Sequence, residues 1–468
     1  MFKKLSIAGA AVAAVLSAGS AFAIAPESTF AVSLTISGAS AFQGAIESEL
    51  SRNGSSICQN GTYDKFISAA GDFRAYTCKL VANVVGAGGE NAVIYYRGEG
   101  GSVVALAPLL TGTRFNGAAI PQPKRLSLAS CPVGDPDQAT AQTVCAGGPY
   151  NLATENPGVA VPGLENAITQ LGFADIEPTQ FVGENYPSAS AIPFLQPALN
   201  AAERNTLNSN AEVLVGQSFG VFVNTANAQL NALPSLSKTT IANIFQGVYA
   251  DWSSVPAGNG STVTTTSLPI KLCRREQGSG TQVAASIFFT QPAAFASEVS
   301  PGALDPDLGG GGVIENTSTG NVRTCLSNAF AKNSTTVPAG AIGVISAEAD
   351  VAGRHMIQID GQGSPVFSSP GVPETANNVG PDTAAGQYAF WFEEVAIKNP
   401  GLSGPAALLA NKLIPVTKVQ ATGPATPNIT FLSPFNAAVF PPSTPANKQP
   451  VSCLRRNKNS TGPALWQC

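Results

Sequence analysis

An α/β fold is what this sequence predicts, and three observations carry the prediction. Three times a β-like run enters a short loop of glycine and hydroxyl residues and leaves it as an apolar, helix-like run: residues 30–36 into 37–42, 92–96 into 97–102, and 268–273 into 274–281. Strand, loop and helix in that order gather helix N-termini at the C-terminal edge of a sheet. The second observation is the balance of 44% hydrophobic to 12% charged residues over 468, which can bury a sizeable core divided into two or three domains. The third is a pair of long strand-like runs, 212–224 and 388–397, each long enough to carry the chain between domains.

In chain order, the first segment is not part of the fold. Lys3 and Lys4, an apolar run over 5–16 and the small-x-small triplet Ala21-Phe22-Ala23 form a secretory signal peptide over 1–23. Ala23-Ile24-Ala25 offers a second cut, so the mature chain starts at Ile24 or Pro26, with no cysteine there to carry a lipid. Loss of the two lysines takes the formal net charge from −4 to −6, which gives no long-range attraction to nucleic acid or an anionic membrane. No later stretch approaches the ~20 uninterrupted apolar residues of a bilayer span. The expectation is a protein exported to the periplasm or secreted, without a lipid anchor or a nucleic-acid partner.

Eight cysteines follow the leader: Cys58, Cys78, Cys131, Cys145, Cys273, Cys325, Cys453 and Cys468. An even count in an exported chain predicts disulfides, and eight cysteines allow 105 pairings. Pairing each with its chain neighbour is the expectation adopted. No two cysteines have zinc-knuckle spacing and His355 is the single histidine, so no metal site, His-based triad or metalloprotease motif is expected.

The strand at 30–36 leads through Ser37 to Phe42 into a helix over 43–50, and the strand at 92–96 leads through Arg97 to Ser102 into a helix over 103–110. Residues 111–162, rich in proline and glycine and poor in periodicity, read as a surface insertion. A helix is expected over 163–171, then a short apolar stretch ending at Asp175, a carboxylate at a turn that suits either a ligand hydroxyl or an Asx-turn. After the long strand at 212–224 come a helix over 237–245, a segment closing at Gly247 and Trp252, and a strand over 268–273.

That strand delivers Arg274-Arg275-Glu276-Gln277-Gly278-Ser279-Gly280-Thr281, followed by a helix over 283–289. Two glycines allow close backbone approach, Ser279 and Thr281 offer hydroxyls, and the helix N-terminus adds roughly half a positive charge. With the planar donor fork of Arg275 this outlines a site for a small oxyanion, although Gly-Ser-Gly-Thr before a helix also serves as an ordinary cap. A glycine run at 309–312, a strand at 340–345 and a proline-rich tail beyond Pro415 complete the chain.

Taken together, these residues resemble the phosphate-binding type of periplasmic substrate-binding protein, the soluble receptor of ABC uptake systems. The likeness rests on the stretch Ser37 to Phe42, on Tyr96 to Ser102, on Phe173 to Pro178 and on Arg275 to Thr281, in that order, with support from Ile244 to Trp252 and Gly340 to Val344. The resemblance implies a type 2 periplasmic-binding-protein fold: two α/β lobes, each with a mixed sheet, closing on a ligand cleft. Lobe one would comprise 26–215 and 385–468, including the insertion, and lobe two 216–384.

By the same resemblance Arg275 would pair with the anion, while Ser279, Gly280 and Thr281, Ser40, Ser102 and the backbone of Phe42 would donate to it. Asp175 would accept a proton from the ligand, favouring phosphate over sulfate. The implied function is non-enzymatic capture of inorganic phosphate or a related oxyanion by a monomer without cofactor, for an ABC permease. The alternative is a secreted structural or adhesive protein that keeps the fold with a degraded site.

The sequence departs from the family pattern at Ala41, where a threonine is usual, and at Gly101, where a binding serine is usual. Ser40 and Ser102 stand one place away from those positions. Gln277 replaces the acidic residue that orients the arginine, and the 111–162 insertion is longer than the family's connection.

Overall fold

The computed structural model describes residues 24, 26, 28–40, 42–69, 71–111, 119–132, 142–147, 150, 155, 159–189, 191–257, 260–290, 312–327, 340–347, 351–363, 367–369, 372–373 and 388–422. The expected signal peptide, Ala41, most of the glycine run, Cys453 and Cys468 lie outside the described residues, as does everything beyond Thr422. The architecture is mixed α/β, built on one large sheet with helices dispersed around it.

The first unit is β1 (Val32–Gly38) followed by α1 (Phe42–Ser51), and the chain then makes β2 (Asp64–Ile67), β3 (Phe73–Lys79) and β4 (Asn91–Arg97). β1 and β4 run parallel with Ser37 opposite Arg97, while β3 is antiparallel to β2 and to β4. α1 presents Phe42, Ala45, Ile46 and Leu50 at the three-and-four spacing of one helix face. That face packs on Leu34 and Ile36 of β1. Each such side chain removed from water contributes about 1.5–3 kcal/mol, which outweighs the poor helix propensity of Gly44 and Ser48.

The described residues of the insertion include short strands that its composition does not suggest. β5 (Lys124–Leu126) pairs antiparallel with β7 (Leu164–Asn166), and β6 (Gln142–Val144) extends the main sheet beside β2. The helix expected over 163–171 does not form; β7, a short link and β8 (Leu171–Ala174) occupy it. Leu164, Ala167, Ile168 and Leu171 do have helical spacing, but pairing with β5 and β1 wins, and Ile168 is left 58% exposed. Residues 103–110 likewise form two 3-10 turns, Ser102–Ala105 and Ala107–Leu109, instead of an α-helix. Pro108 has no N–H for the carbonyl four residues back, which breaks the α pattern there.

α2 (Ala201–Ser209) opens on a capping box between Asn200 and Glu203 and leads into β9 (Ala211–Asn224), the longest strand. There follow α3 (Ala228–Asn231), β10 (Ser235–Leu236), α4 (Lys238–Phe245), β11 (Lys271–Arg275) and α5 (Gly280–Thr290). Then come β12 (Gly312–Asn316), α6 (Thr319–Leu326), β13 (Ala341–Ser346) and β14 (Arg354–Ile359). A two-stranded ribbon, β15 (Phe367–Ser369) with β16 (Val372–Pro373), precedes β17 (Trp391–Lys398) and α7 (Gly404–Thr422). The proline-rich tail expected beyond Pro415 is helical as far as Thr422. Leu409, Leu413 and Ile414 bury against the same cluster as α1, which outweighs the cost of the internal proline.

Main-sheet order is β12-β11-β13-β9-β17-β8-β1-β4-β3-β2-β6, with β14 also on β9 and β10 on β14. β9 is the joint of this arrangement. Its first half, Ala211 to Ser218, pairs antiparallel with β17, and its second half pairs with β13 and β14. Hydrogen bonding thus runs without a break from the β1 side to the β11 side, and β9 changes partners after Ser218, three residues beyond the expected 215/216 boundary.

The described disulfides join Cys58 to Cys78, Cys131 to Cys145 and Cys273 to Cys325, each cysteine to its chain neighbour. The last of them clamps α6 to β11 beside Arg275.

Candidate oxyanion site

β4 ends at Arg97, β8 at Ala174 and β11 at Arg275, and the turns that follow these three strands meet. The Val103 N–H donates to the Gly278 carbonyl at 3.0 Å, joining the second glycine loop to the third. Gly101 lies at φ 66°, and a Cβ there would stand 2.8 Å from the Ser279 Cα and 3.4 Å from Nη2 of Arg275. Glycine is required at that place for both reasons, which explains why no serine follows Gly100. Gly280 approaches as closely, since a Cβ on it would stand 2.5 Å from Ser102 Oγ and 2.9 Å from Asp175 Oδ2.

Six of the eight expected site residues are therefore in one place: Ser102, Asp175, Arg275, Ser279, Gly280 and Thr281. Ser102 Oγ accepts from the Asp175 N–H at 3.1 Å, and Thr281 Oγ1 donates to Asp175 Oδ2 at 3.2 Å. Ser102, Asp175, Arg275, Ser279 and Thr281 are all buried. Among the described residues Asp175 Oδ1 and Ser279 Oγ are buried without a hydrogen-bond partner. Such atoms cost about 1–3 kcal/mol each when left unmade, so they mark a place where a further polar group belongs.

Ser40 and Phe42 are on the neighbouring first loop. The Ser40 carbonyl accepts from the Gln43 N–H, and its Cβ lies beside Gly98, which links the first loop to the second. The Phe42 ring stacks, with centroids 4.7 Å apart, on Phe173, which lies two residues before Asp175, so the Phe42 side chain is a core element. No hydrogen bond among the described residues joins either residue to the Arg275 group.

Arg275 is held by neutral acceptors. Its Nε donates to the Asn316 carbonyl at 3.3 Å, Nη1 to Thr319 Oγ1 at 3.2 Å and Nη2 to the Thr317 carbonyl at 3.1 Å. These acceptors sit on the link from β12 to α6, whose position the Cys273–Cys325 disulfide fixes. The missing acid at Gln277 is thus replaced by backbone, and Gln277 Oε1 accepts instead from the Ser188 N–H. Burial pulls the Arg275 guanidinium below its ordinary range, against the attraction of Glu276, Asp175 and Asp72. Burial also raises Asp175, opposed by Arg275 and by the hydrogen bonds of Thr281.

Three acidic residues at the site went unselected in the sequence. Burial pushes Glu276 up to about 7 and Glu99 up to about 8, and raises Asp72 as well. Glu99 and Glu276 lie inside the very loops the sequence marks, so acids within an otherwise small-residue anion loop were the available signal. Asp72, in the turn between β2 and β3, had none.

The buried guanidinium, the amides opening α5 and the hydroxyls of Ser102, Ser279 and Thr281 form a donor set beside the Asp175 carboxylate. That set suits a tetrahedral oxyanion that still carries a proton. No group of acidic, histidine or cysteine residues among the described residues could hold a metal ion. No helix among them is long and apolar enough to cross a membrane.

No family model and no curated protein matches the chain. Solved structures do. A protein from Clostridium perfringens assigned as a phosphate ABC transporter substrate-binding protein, solved with bound phosphate, aligns at 12% identity and TM-score 0.39, covering 82% of this chain and 92% of its own. An ABC-type phosphate transport receptor from Vibrio cholerae aligns at 17% identity and TM-score 0.28, over 53% of this chain and 78% of that one. A human phosphate-binding apolipoprotein aligns at 17% identity and TM-score 0.36, over 57% and 76%. At these TM-scores the backbones diverge too far for the likeness to transfer a ligand.

Proposed function

We propose that this chain is an exported solute-binding protein of the two-lobed periplasmic-binding-protein kind, which captures a small oxyanion, phosphate first, for ABC-type uptake. The observation that carries the reading is the convergence of Ser102, Asp175, Arg275 and Ser279 to Thr281, drawn from three distant segments into one buried cluster. Phosphate is preferred because Asp175 Oδ1 has no donor among the described residues, and a protonated oxyanion supplies one while sulfate does not. The lobes divide within β9 and before β17, and the working form is a soluble monomer in the periplasm or outside the cell, with a permease as its membrane partner.

One observation favours the alternative, a structural or adhesive protein with the same fold. Asp175 Oδ2 is already bonded by Thr281, and Ser102 Oγ by the Asp175 N–H, so part of the donor set satisfies itself. Equilibrium dialysis with labelled phosphate and sulfate separates the two. Saturable phosphate binding at micromolar concentration supports the receptor, and no retention of either anion at millimolar concentration leaves the structural role.

A further inference from the structure

The site holds more acid than one arginine balances, and the acids come from different elements. Glu99 sits two residues before Gly101, where a Cβ would stand 2.8 Å from the Ser279 Cα and 3.4 Å from Nη2 of Arg275. Glu276 follows Arg275 directly, and the Asp72 carbonyl accepts the Gly98 N–H, which brings the β2–β3 turn against the same loop. Among the described residues Glu99 Oε2, Glu276 Oε1 and Asp175 Oδ1 are buried with no hydrogen-bond partner, and Glu99 and Asp175 are only 6% and 5% exposed.

The charges facing them can be named. Glu99 is favoured as an anion by Arg97 and opposed by Asp72, Glu276 and Glu155, while Glu276 is favoured by Arg275 and Arg97 and opposed by Glu315 and Asp72. Two of these neighbours are engaged elsewhere. Arg97 is committed to Glu155 through two hydrogen bonds at 2.8 and 2.6 Å, and Glu315 is paired with Arg274 at 2.6 Å. Were Asp72, Asp175 and Glu276 ionised around Arg275, with Glu99 ionised beside Asp72 and Glu276, an arriving oxyanion would meet net negative charge in a dry site.

We infer that Glu99 and Glu276 are additional anion-site residues that carry protons when the oxyanion is bound, so that capture of the anion is coupled to proton uptake by the site. The inference rests on the oxyanion reading above. A carboxyl that keeps its proton presents an O–H donor where a carboxylate would repel, and a bound anion nearby favours that form further. Affinity therefore falls as pH rises through the range in which the two groups ionise. The protons enter from solvent on binding and return to it on release, so no other reactant is involved.

The test is isothermal calorimetry of phosphate binding near pH 7.5 in two buffers of different ionisation heat, on the parent and on the Glu99→Gln, Glu276→Gln double variant. Phosphate's own ionisation is common to both proteins and cancels in the comparison. The parent is expected to take up about one proton more per phosphate than the variant, with affinity changing up to about tenfold per pH unit per proton. Equal proton uptake in the two proteins overturns the inference while leaving oxyanion capture intact. If the parent binds neither phosphate nor sulfate at millimolar concentration, the functional reading fails and takes this inference with it. Should the double variant not fold, the infrared carbonyl band of protonated carboxyl groups in the ligand-free parent decides. Its presence at pH 6 and loss by pH 9 is expected, and its absence at pH 6 overturns the inference.

Discussion

Arg97 and Arg275 occupy the same place in two strand–loop units, each the last residue of its strand and each followed by a glycine loop. Their surroundings are opposite. Arg97 donates twice to Glu155 and once to the Tyr150 hydroxyl at 2.6 Å, with the rings of Phe73, Tyr150 and Phe194 within 5.5 Å of its guanidinium. Arg275 receives two carbonyls and a threonine hydroxyl, with acids near it but none bonded to it among the described residues. A buried cation whose charge is already matched by a bidentate carboxylate is a strut; one held by neutral dipoles keeps its charge for a guest. The insertion supplies Glu155 and so makes the difference between the two.

The comparison breaks most visibly at Arg97. Arg97→Ala strands Glu155 as an uncompensated buried charge and is expected to cost about 3–5 kcal/mol of stability, read as a lower urea midpoint. Arg275→Ala is expected to do the reverse. It should weaken phosphate binding by about 2–5 kcal/mol in calorimetry and leave the urea midpoint much closer to the parent's. Equal stability losses in the two variants would show that both arginines are struts.

Acid and base sharpen the same contrast. Burial raises Glu99 and Glu276 above the ordinary value of 4.5, so the folded state holds protons that the unfolded state has released. Their contribution to stability is full below that ordinary value and is lost as pH rises through about 7 to 8. The expected slope is at most about 1.4 kcal/mol per pH unit for each proton. Glu155 behaves oppositely: although its burial acts to raise it, Arg97 and the surrounding hydrogen bonds hold it below the ordinary range. Its contribution is present above 4.5 and lost as pH falls below it. Urea denaturation of the parent and of Glu99→Gln across pH 5 to 9 checks the first sign, since the variant should show the shallower dependence. The smallest effect belongs to Ser102→Ala, about 1 kcal/mol in phosphate affinity, because water replaces one neutral donor.

Much of this was legible in the sequence because the decisive features are local. The three strand–loop units, β9, β11, β13 and β17 follow from β-branched and aromatic runs bounded by glycine. The six described cysteines pair with their chain neighbours, as adopted from the sequence, although chain order alone did not choose among the pairings. Illegible were features set by tertiary context. Residues 163–171 have helical spacing yet pair as strands, and Pro415 lies inside a helix whose apolar face has a partner in α1. Within the insertion, Glu155 meets Arg97 across 58 residues, a pairing that no local pattern encodes. At the site, Arg275 was legible from its motif, but its anchors at Asn316, Thr317 and Thr319 are backbone and hydroxyl groups from another strand, without a sequence signature.

Calorimetric titration of the parent protein and of Asp175→Asn with phosphate and with sulfate tests the central claim most directly. The parent should bind phosphate saturably and sulfate far more weakly, and the variant should lose phosphate affinity while the gap between the two anions narrows. Identical phosphate and sulfate isotherms for parent and variant, or no heat of binding from either anion at millimolar concentration, would contradict it.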